Sequence, residues 1–370
     1  MEVNFQIYHY WRSECAMRGE KMKAWVAKMT EEQLDQEAIR KAGEILKSGG
    51  LAAFPTETVY GLGGNAFDAE ASQKIYAAKG RPSDNPLIVH IARMEDLEVV
   101  ARNIPDNART LAKACWPGPL TMILEKTEAV PKETTGGLNT VAVRFPSNRI
   151  AQALILAAGG FVAAPSANTS GRPSPTTAEH VIEDLGDSID CILDGGMVEI
   201  GLESTIVDFT EGTPMILRPG SLNRERLEEI LGTVRTDPGL LAQETHTRPK
   251  APGMRYKHYA PNADLTIVEG AEQAVVEKIR ALAAKQLACG AKVGIICTDE
   301  TRQEYPQGDV KSIGARSDEA SIARHLYGIL REFDGDHVDI IYSEAFDTPK
   351  MGQAIMNRLL KAAGHKRIEV

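Results

Sequence analysis

The sequence predicts a two-domain α/β protein. A mixed twisted sheet with helices fills a longer N-terminal domain, and a smaller α/β unit with a parallel sheet follows it. Three observations carry this. At 370 residues the chain exceeds what one ordinary core accommodates. Up to residue 231, strand-like apolar runs alternate with amphipathic stretches, but several strands follow one another directly, which favours a mixed sheet over a pure βαβ repeat. From residue 264 strands and helices alternate regularly, behind a stretch (232–263) with Pro238, Pro249, Pro252 and Pro261 and no apolar period.

The elements follow in order. Residues 1–33 have no clear period and are expected to form a poorly ordered or loosely docked extension. Over 34–47, Leu34, Ala38, Ile39, Ala42, Ile45 and Leu46 form one helical stripe. Leu51 to Phe54 read as a buried strand that Pro55 ends. Asp68 is placed to cap a helix over 69–79, and Gly80 to stop it. A strand is expected at 87–91, helices at 96–102 and 107–115, and a rigid turn at Trp116-Pro117-Gly118-Pro119. Strands at 120–124 and 140–145, a helix at 150–158 and a strand at 161–164 lead into the polar loop PSANTSGRPSPT. A helix at 177–185, strands at 191–193, 204–209 and 215–217, and a helix at 223–231 complete the first domain. The second domain reads as strand 265–268, helix 271–288, strand 292–297, helix 318–333, strand 338–342 and helix 352–363.

Composition narrows the class. An apolar fraction of 43% and a charged fraction of 25% are those of a soluble globular protein. No apolar run reaches the roughly 18 residues that a membrane-spanning helix needs. The N-terminus has no apolar segment with a small-residue cleavage site, and the five cysteines are scattered, so a reducing, cytoplasmic setting is expected. A net charge of −9 opposes a large electrostatic nucleic-acid footprint.

Chemistry-bearing groups collect at element ends. Lys79 and Arg81, read alone, are a helix-end charge pair favoured by the dipole. Arg144 and Arg218 also sit at strand ends just before prolines. Four cations so placed in an acidic chain point to a cavity that neutralises phosphates or carboxylates. Ser166, Asn168, Ser170, Ser174 and Ser204 are equally consistent, one by one, with turn and cap chemistry. No serine stands in a G-x-S-x-G elbow. His90 ends an apolar strand, where a satisfied core histidine is the plain reading. The histidines form no H-x-x-x-H pair, and no metal site is expected. The glycines of GLGGN resemble a phosphate loop weakly or serve a tight turn. The stretch from Arg248 to Tyr259 is basic and aromatic and is expected to fold back onto an anionic site.

Taken together, FPTETVYGLG, K-G-R-P-x-x-N-P-L, WPGPLT, VRFP, APSAN-x-SG-x-PSPT, ESTIVD and LRPG resemble the YrdC-type threonylcarbamoyl-AMP synthases. APGMRYKHYAP and the unit after it resemble the longer, two-domain form of that family, and the resemblance runs from about residue 34 to the C-terminus. It implies a YrdC-like mixed twisted sheet around a large cationic cavity, plus a smaller Rossmann-like C-terminal domain. It implies that L-threonine, bicarbonate and ATP give L-threonylcarbamoyladenylate and pyrophosphate. The product feeds threonylcarbamoyladenosine formation in tRNA beside the anticodon, where other proteins perform the transfer; tRNA binding by this chain is expected to be weak or absent. The implied threonine contacts are Thr56 or Thr58, His90, Arg144 and Ser204. The implied ATP contacts are Lys79, Arg81, Asn85, Thr121, Ser166, Ser174 and Arg218, with Lys79 and Arg81 also catalytic and Tyr256 closing over the site. Magnesium (Mg2+) would come with ATP, held mostly by phosphates and water. Lys79 and Arg81 are expected to face solvent or ligand, and residues 255–259 to act as a lid. Two rival readings use the same cavity, an RNA-binding module, which the net charge opposes, and a carbamoyltransferase, whose usual cysteine clusters are missing here.

Overall fold

A computed structural model of the chain describes residues 23–240, 258–346 and 348–370. The first domain comprises, in chain order, β1 (Trp25–Lys28), α1 (Gln36–Lys47), β2 (Ala52–Phe54), β3 (Gly61–Asn65), α2 (Ala69–Lys79), β4 (Ile88–His90), α3 (Leu97–Val100), β5 (Ala101–Arg102), α4 (Asp106–Cys115), β6 (Leu120–Lys126), β7 (Thr140–Arg144), α5 (Arg149–Ala157), β8 (Val162–Ala164), α6 (Ala178–Leu185), β9 (Cys191–Asp194), β10 (Thr205–Asp208), β11 (Met215–Arg218), α7 (Arg224–Leu231) and β12 (Arg235–Thr236). Its strands form one sheet in the order β1-β9-β2-β3-β8-β4-β7-β6-β10-β11-β12, with β5 on β6. Pairing is mixed: β4–β7 and β6–β10 are parallel, while β6–β7 and β2–β3 are antiparallel.

Local chemistry starts and stops the helices, as the sequence predicts for α2. Asp35 and Asp68 accept backbone N–H bonds at the starts of α1 and α2, and Asn148 and Asn223 do so at α5 and α7. Gly80 ends α2 in the left-handed region at φ +61°. The apolar stripe of α1 (Ile39, Ala42, Leu46) packs with Ile150 and Leu154 of α5 on Phe54 and Leu193 of the sheet. Leu62, Ile75, Leu87, Val89, Leu111 and Met122 form a second, larger cluster. Each fully buried Leu or Ile contributes about 1.5–3 kcal/mol.

Several elements differ from expectation. The segment expected to be loose up to residue 33 supplies β1, which pairs with β9 from Trp25↔Cys191 to Lys28↔Asp194. Four residues at a sheet edge are held by tertiary pairing that no local period reveals. Residues 1–22 lie outside the described part. GLGGN is neither a phosphate loop nor a tight turn but strand β3, and its glycines permit close approach: a Cβ on Gly63 would stand 2.7 Å from Val162 Cγ1. The helix expected over 96–102 stops at Val100, because Ala101 and Arg102 pair with Lys126 and Glu125 of β6. The first domain also runs past residue 231, since β12 pairs with β11.

The second domain comprises β13 (Asp264–Glu269), α8 (Glu272–Ala288), β14 (Val293–Cys297), β15 (Asp309–Ser312), α9 (Glu319–Gly335), β16 (Ile340–Glu344), α10 (Gly352–Ala362) and β17 (Arg367–Glu369). Its sheet is parallel throughout, in the order β15-β14-β16-β13-β17. The short edge strands β15 and β17 were not expected from the sequence. Among the described residues no helix is long and apolar enough to cross a membrane.

The two domains share a core. Val59 and Leu202 of the first pack with Tyr259 and with Leu326 and Tyr327 of α9. Arg331 of α9 donates to Asp184 Oδ2 at 2.7 Å and to the Pro173 carbonyl at 2.7 Å. Gly201 lies against α9 at φ +83°, where a Cβ would stand 2.4 Å from Arg324 Cα. Gly201→Ala should therefore cost about 2–5 kcal/mol, through left-handed backbone strain and overpacking against main chain. A thermal melt of the full chain checks this, and a wild-type melting temperature would contradict such close docking.

Candidate active site

One row of residues across the sheet organises the cavity. Backbone pairing sets His90 of β4 opposite Arg144 of β7, Arg144 opposite Thr121 of β6, Thr121 opposite Ile206 of β10, and Ile206 opposite Arg218 of β11. Residues directly opposite share a face, so the imidazole and two guanidinium groups rise from the same side of the sheet. The end of α2 contributes Lys79 and Arg81, and the loop after β8 contributes Ser166 and Ser174. The cavity holds about 670 Å3 of empty space including its open mouth, and Thr56, Lys79, Arg81, His90, Arg144, Ser166, Ser174, Ser204 and Arg218 all line it.

Three expected contacts do not reach the wall. Thr58 is fully buried, and its hydroxyl bonds that of Thr56 at 2.8 Å. Thr121 lies beneath Ser204, hydroxyl to hydroxyl at 2.7 Å. Asn85 is buried, and its carbonyl accepts from Arg81 Nε at 3.2 Å. These three brace the groups that line the cavity. Tyr256, with Arg255 and Lys257, lies outside the described residues. The last two linker residues expected in the lid, His258 and Tyr259, do line the cavity. Asn168, Ser170, Tyr60 and Glu203 line it too, though none was assigned a role from sequence. Asn168 and Ser170 stand inside the APSAN-x-SG motif and Glu203 opens ESTIVD, so the motifs held the signal.

Of the two settings expected for Lys79 and Arg81, solvent or ligand, the structure leaves the second: both line the cavity and are only 2% and 8% exposed. Lys79 Nζ donates to the Ser166 carbonyl at 2.5 Å, to the Asn168 carbonyl, and to Asn168 Oδ1 at 3.3 Å. Three acceptors match the three N–H bonds of an ammonium. Burial, and then the charge of Arg81, hold the Lys79 pKa well below the ordinary lysine value. Arg81 is fixed by the carbonyls of Asn85 and Pro86, and burial lowers its pKa to about 10.

Arg144 pairs with Glu57 at 2.8 Å, both side chains being almost wholly buried. Its Nη2 reaches Thr56 Oγ1 at 3.4 Å, and its Nε is buried without a hydrogen-bond partner. Arg218 donates from Nε to the Ser204 carbonyl at 3.0 Å and from Nη2 to Ser204 Oγ at 3.1 Å. His90 Nδ1 lies 3.0 Å from the Ile88 carbonyl, which assigns the proton to that nitrogen. Burial first, and Arg144 second, push the His90 pKa down to about 3, so the ring is neutral near pH 7. The cavity thus presents three guanidinium groups, the Lys79 amine, two imidazoles and several hydroxyls, and Glu203 is the carboxylate among its described lining residues. Among the described residues no group of three or more His, Cys, Asp or Glu could hold a metal ion. Such an arrangement can bind a polyanion and a small carboxylate side by side.

Known proteins resemble the chain over most of its length. Residues 44–220 match the Sua5_yciO_yrdC family, described as "Telomere recombination", and residues 222–364 match "Threonylcarbamoyl-AMP synthase, C-terminal domain". The threonylcarbamoyl-AMP synthase of Pyrococcus abyssi is 49% identical over 92% of this chain and 98% of its own length. That of Bacillus subtilis is 46% identical over 94% and 99%. A crystal structure of P. abyssi Sua5 complexed with L-threonine superposes with a TM-score of 0.89 at 47% identity, covering 94% of this chain and 100% of that one.

Proposed function

The chain belongs to the threonylcarbamoyl-AMP synthase family, in its two-domain form, and from that premise we propose how its cavity performs the synthesis. It is an enzyme of the nucleotidyltransferase type that makes L-threonylcarbamoyladenylate for threonylcarbamoyladenosine modification of tRNA. The substrates in this reading are L-threonine, bicarbonate and ATP. The observation that carries it is the convergence of Lys79, Arg81, Arg144 and Arg218, all buried, on one hydroxyl-lined cavity.

Threonine's amine and bicarbonate condense to a carbamate with loss of water. A carbamate oxygen then attacks the α-phosphorus, and pyrophosphate leaves. No covalent enzyme nucleophile is needed; the work is positioning and charge stabilisation. Arg144, with an unused Nε donor, grips the threonine carboxylate, and Thr56 and Ser204 orient the rest of that substrate. Neutral His90 closes that end without adding charge. Lys79, Arg81 and Arg218 hold the polyphosphate and stabilise the charge that grows on the leaving group, with Ser166 and Ser174 beside them. Magnesium would be held by the ATP phosphates and water, since no group of His, Cys, Asp or Glu among the described residues could hold it, and it would supply charge neutralisation at the leaving pyrophosphate. The cavity and the linker end with His258 and Tyr259 limit water, to which both the carbamate and the mixed anhydride are labile. The adenylate then passes to other proteins for transfer to tRNA.

Pyrophosphate release from ATP, measured with and without threonine and bicarbonate, tests the reading. Release should require both, and labelled ATP should yield an AMP-bearing product. Threonine-dependent formation of ADP and orthophosphate would overturn it.

A further inference from the structure

The side chain of Arg358, on α10 of the second domain, is fully buried outside the cavity, yet it touches both chain segments that carry Ser204 and Arg218. Its Nε donates to Glu203 Oε2 at 2.9 Å and its Nη2 to the Glu203 carbonyl at 3.4 Å. Its Nη1 donates to the Pro219 carbonyl at 2.6 Å. Glu203 immediately precedes Ser204, and Pro219 immediately follows Arg218. The Glu203 carboxylate also accepts from Tyr327 on α9 at 2.9 Å and from Ser174 Oγ at 2.6 Å. Two of its donors therefore come from the second domain, and Tyr259 stacks on one of them at 5.2 Å between ring centres.

A carboxylate on the wall of an anion-binding cavity calls for a physical account. Burial alone would raise its pKa, but Arg358 first and Arg218 second bring it down to about 2, so Glu203 carries a full negative charge near pH 7. Unless neutralised from behind, that charge repels a polyphosphate. It also competes with the polyphosphate for Arg218, the second of the two arginines that lower its pKa.

We propose that Arg358 is a positioning residue for the nucleotide end of the site: it neutralises Glu203, turns it toward the second domain, and keeps it from closing onto Arg218. The inference rests on the reading of the cavity as an ATP site. It gives the second domain a part in the chemistry of the first. The competing account is that Arg358 only docks the domains.

The test uses the full-length chain and direct ATP binding. Arg358→Gln should raise the Kd for ATP at least tenfold, and shift the Kd for threonine less than threefold, because Glu203 is left to pair with Arg218. The double variant Glu203→Gln/Arg358→Gln has no such buried charge and should return the ATP Kd to within threefold of wild type. If Arg358→Gln does not fold, the double variant is read against wild type instead, and an ATP Kd more than threefold above wild type overturns the proposal. Unchanged ATP binding by Arg358→Gln, equal losses for ATP and threonine, or a double variant that binds ATP as poorly as the single one would each overturn the proposal. Wild-type protein is the control for the parent reading. No ATP binding there overturns both, whereas normal binding there and in Arg358→Gln overturns this inference alone.

Discussion

Arg144→Ala should abolish threonine binding and lower the stability of the fold by about 3–5 kcal/mol, the cost of leaving one member of a buried ion pair without its partner. The abandoned partner is Glu57, whose Oε1 lies 2.8 Å from Arg144 Nη2, with both side chains at most 5% exposed. The other oxygen of Glu57 accepts from the Ser147 backbone at 3.3 Å, a single neutral bond that does not compensate a buried charge. The loss of threonine binding has a separate cause. Arg144 Nε is buried without a partner in a residue that lines the cavity, as expected of a donor reserved for a ligand carboxylate. The two effects separate in a second variant. Glu57→Gln/Arg144→Met removes both charges and should recover most of the stability, but not the binding. Urea unfolding and threonine titration of the three proteins give the answer. Threonine binding at wild-type strength by either variant would remove Arg144 from the site.

What the sequence reveals about this site, and what it hides, follows from the range of each interaction. Arg144 and Arg218 were legible because each ends a strand before a proline, and element ends in such folds collect functional groups. That they share one row with His90 was not legible, since register across β4, β7, β6, β10 and β11 depends on pairing between segments far apart in sequence. Asp68 and Gly80 announced the limits of α2 through local chemistry. The burial of Lys79 comes instead from a loop almost ninety residues further on, whose carbonyls close over it. The partners Glu57, Glu203 and Arg358 were missed for the same reason. A charged residue in a motif says nothing about which distant charge it meets. The β1 strand and the strand character of GLGGN likewise depend on neighbours, β9 in one case and Val162 in the other.

Lys79→Ala should reduce kcat by on the order of 10²–10³, the cost of removing a preorganised charge contact from a transition state. The expected change in stability is now larger than for a solvent-facing lysine. Lys79 Nζ is the donor for the carbonyls of Ser166 and Asn168 and for Asn168 Oδ1, so alanine leaves these acceptors short of a donor in a buried place. A loss of about 1–3 kcal/mol follows, centred on the loop that carries Ser166 and Ser174. The charge itself gives a test that loop damage cannot imitate. In the free protein, burial and Arg81 hold the Lys79 pKa well below the ordinary value. A bound polyphosphate favours the ammonium and raises that pKa. Between the two values the complex holds a proton that the free protein lacks. ATP binding should therefore take up protons, and ATP affinity should fall as pH rises through that window. Calorimetry of ATP binding in buffers of different ionisation enthalpy measures the uptake directly. Wild type should show it, and Lys79→Ala should show less. If proton uptake is the same in both proteins, Lys79 is not the group that meets the polyphosphate, and its role reduces to holding the loop.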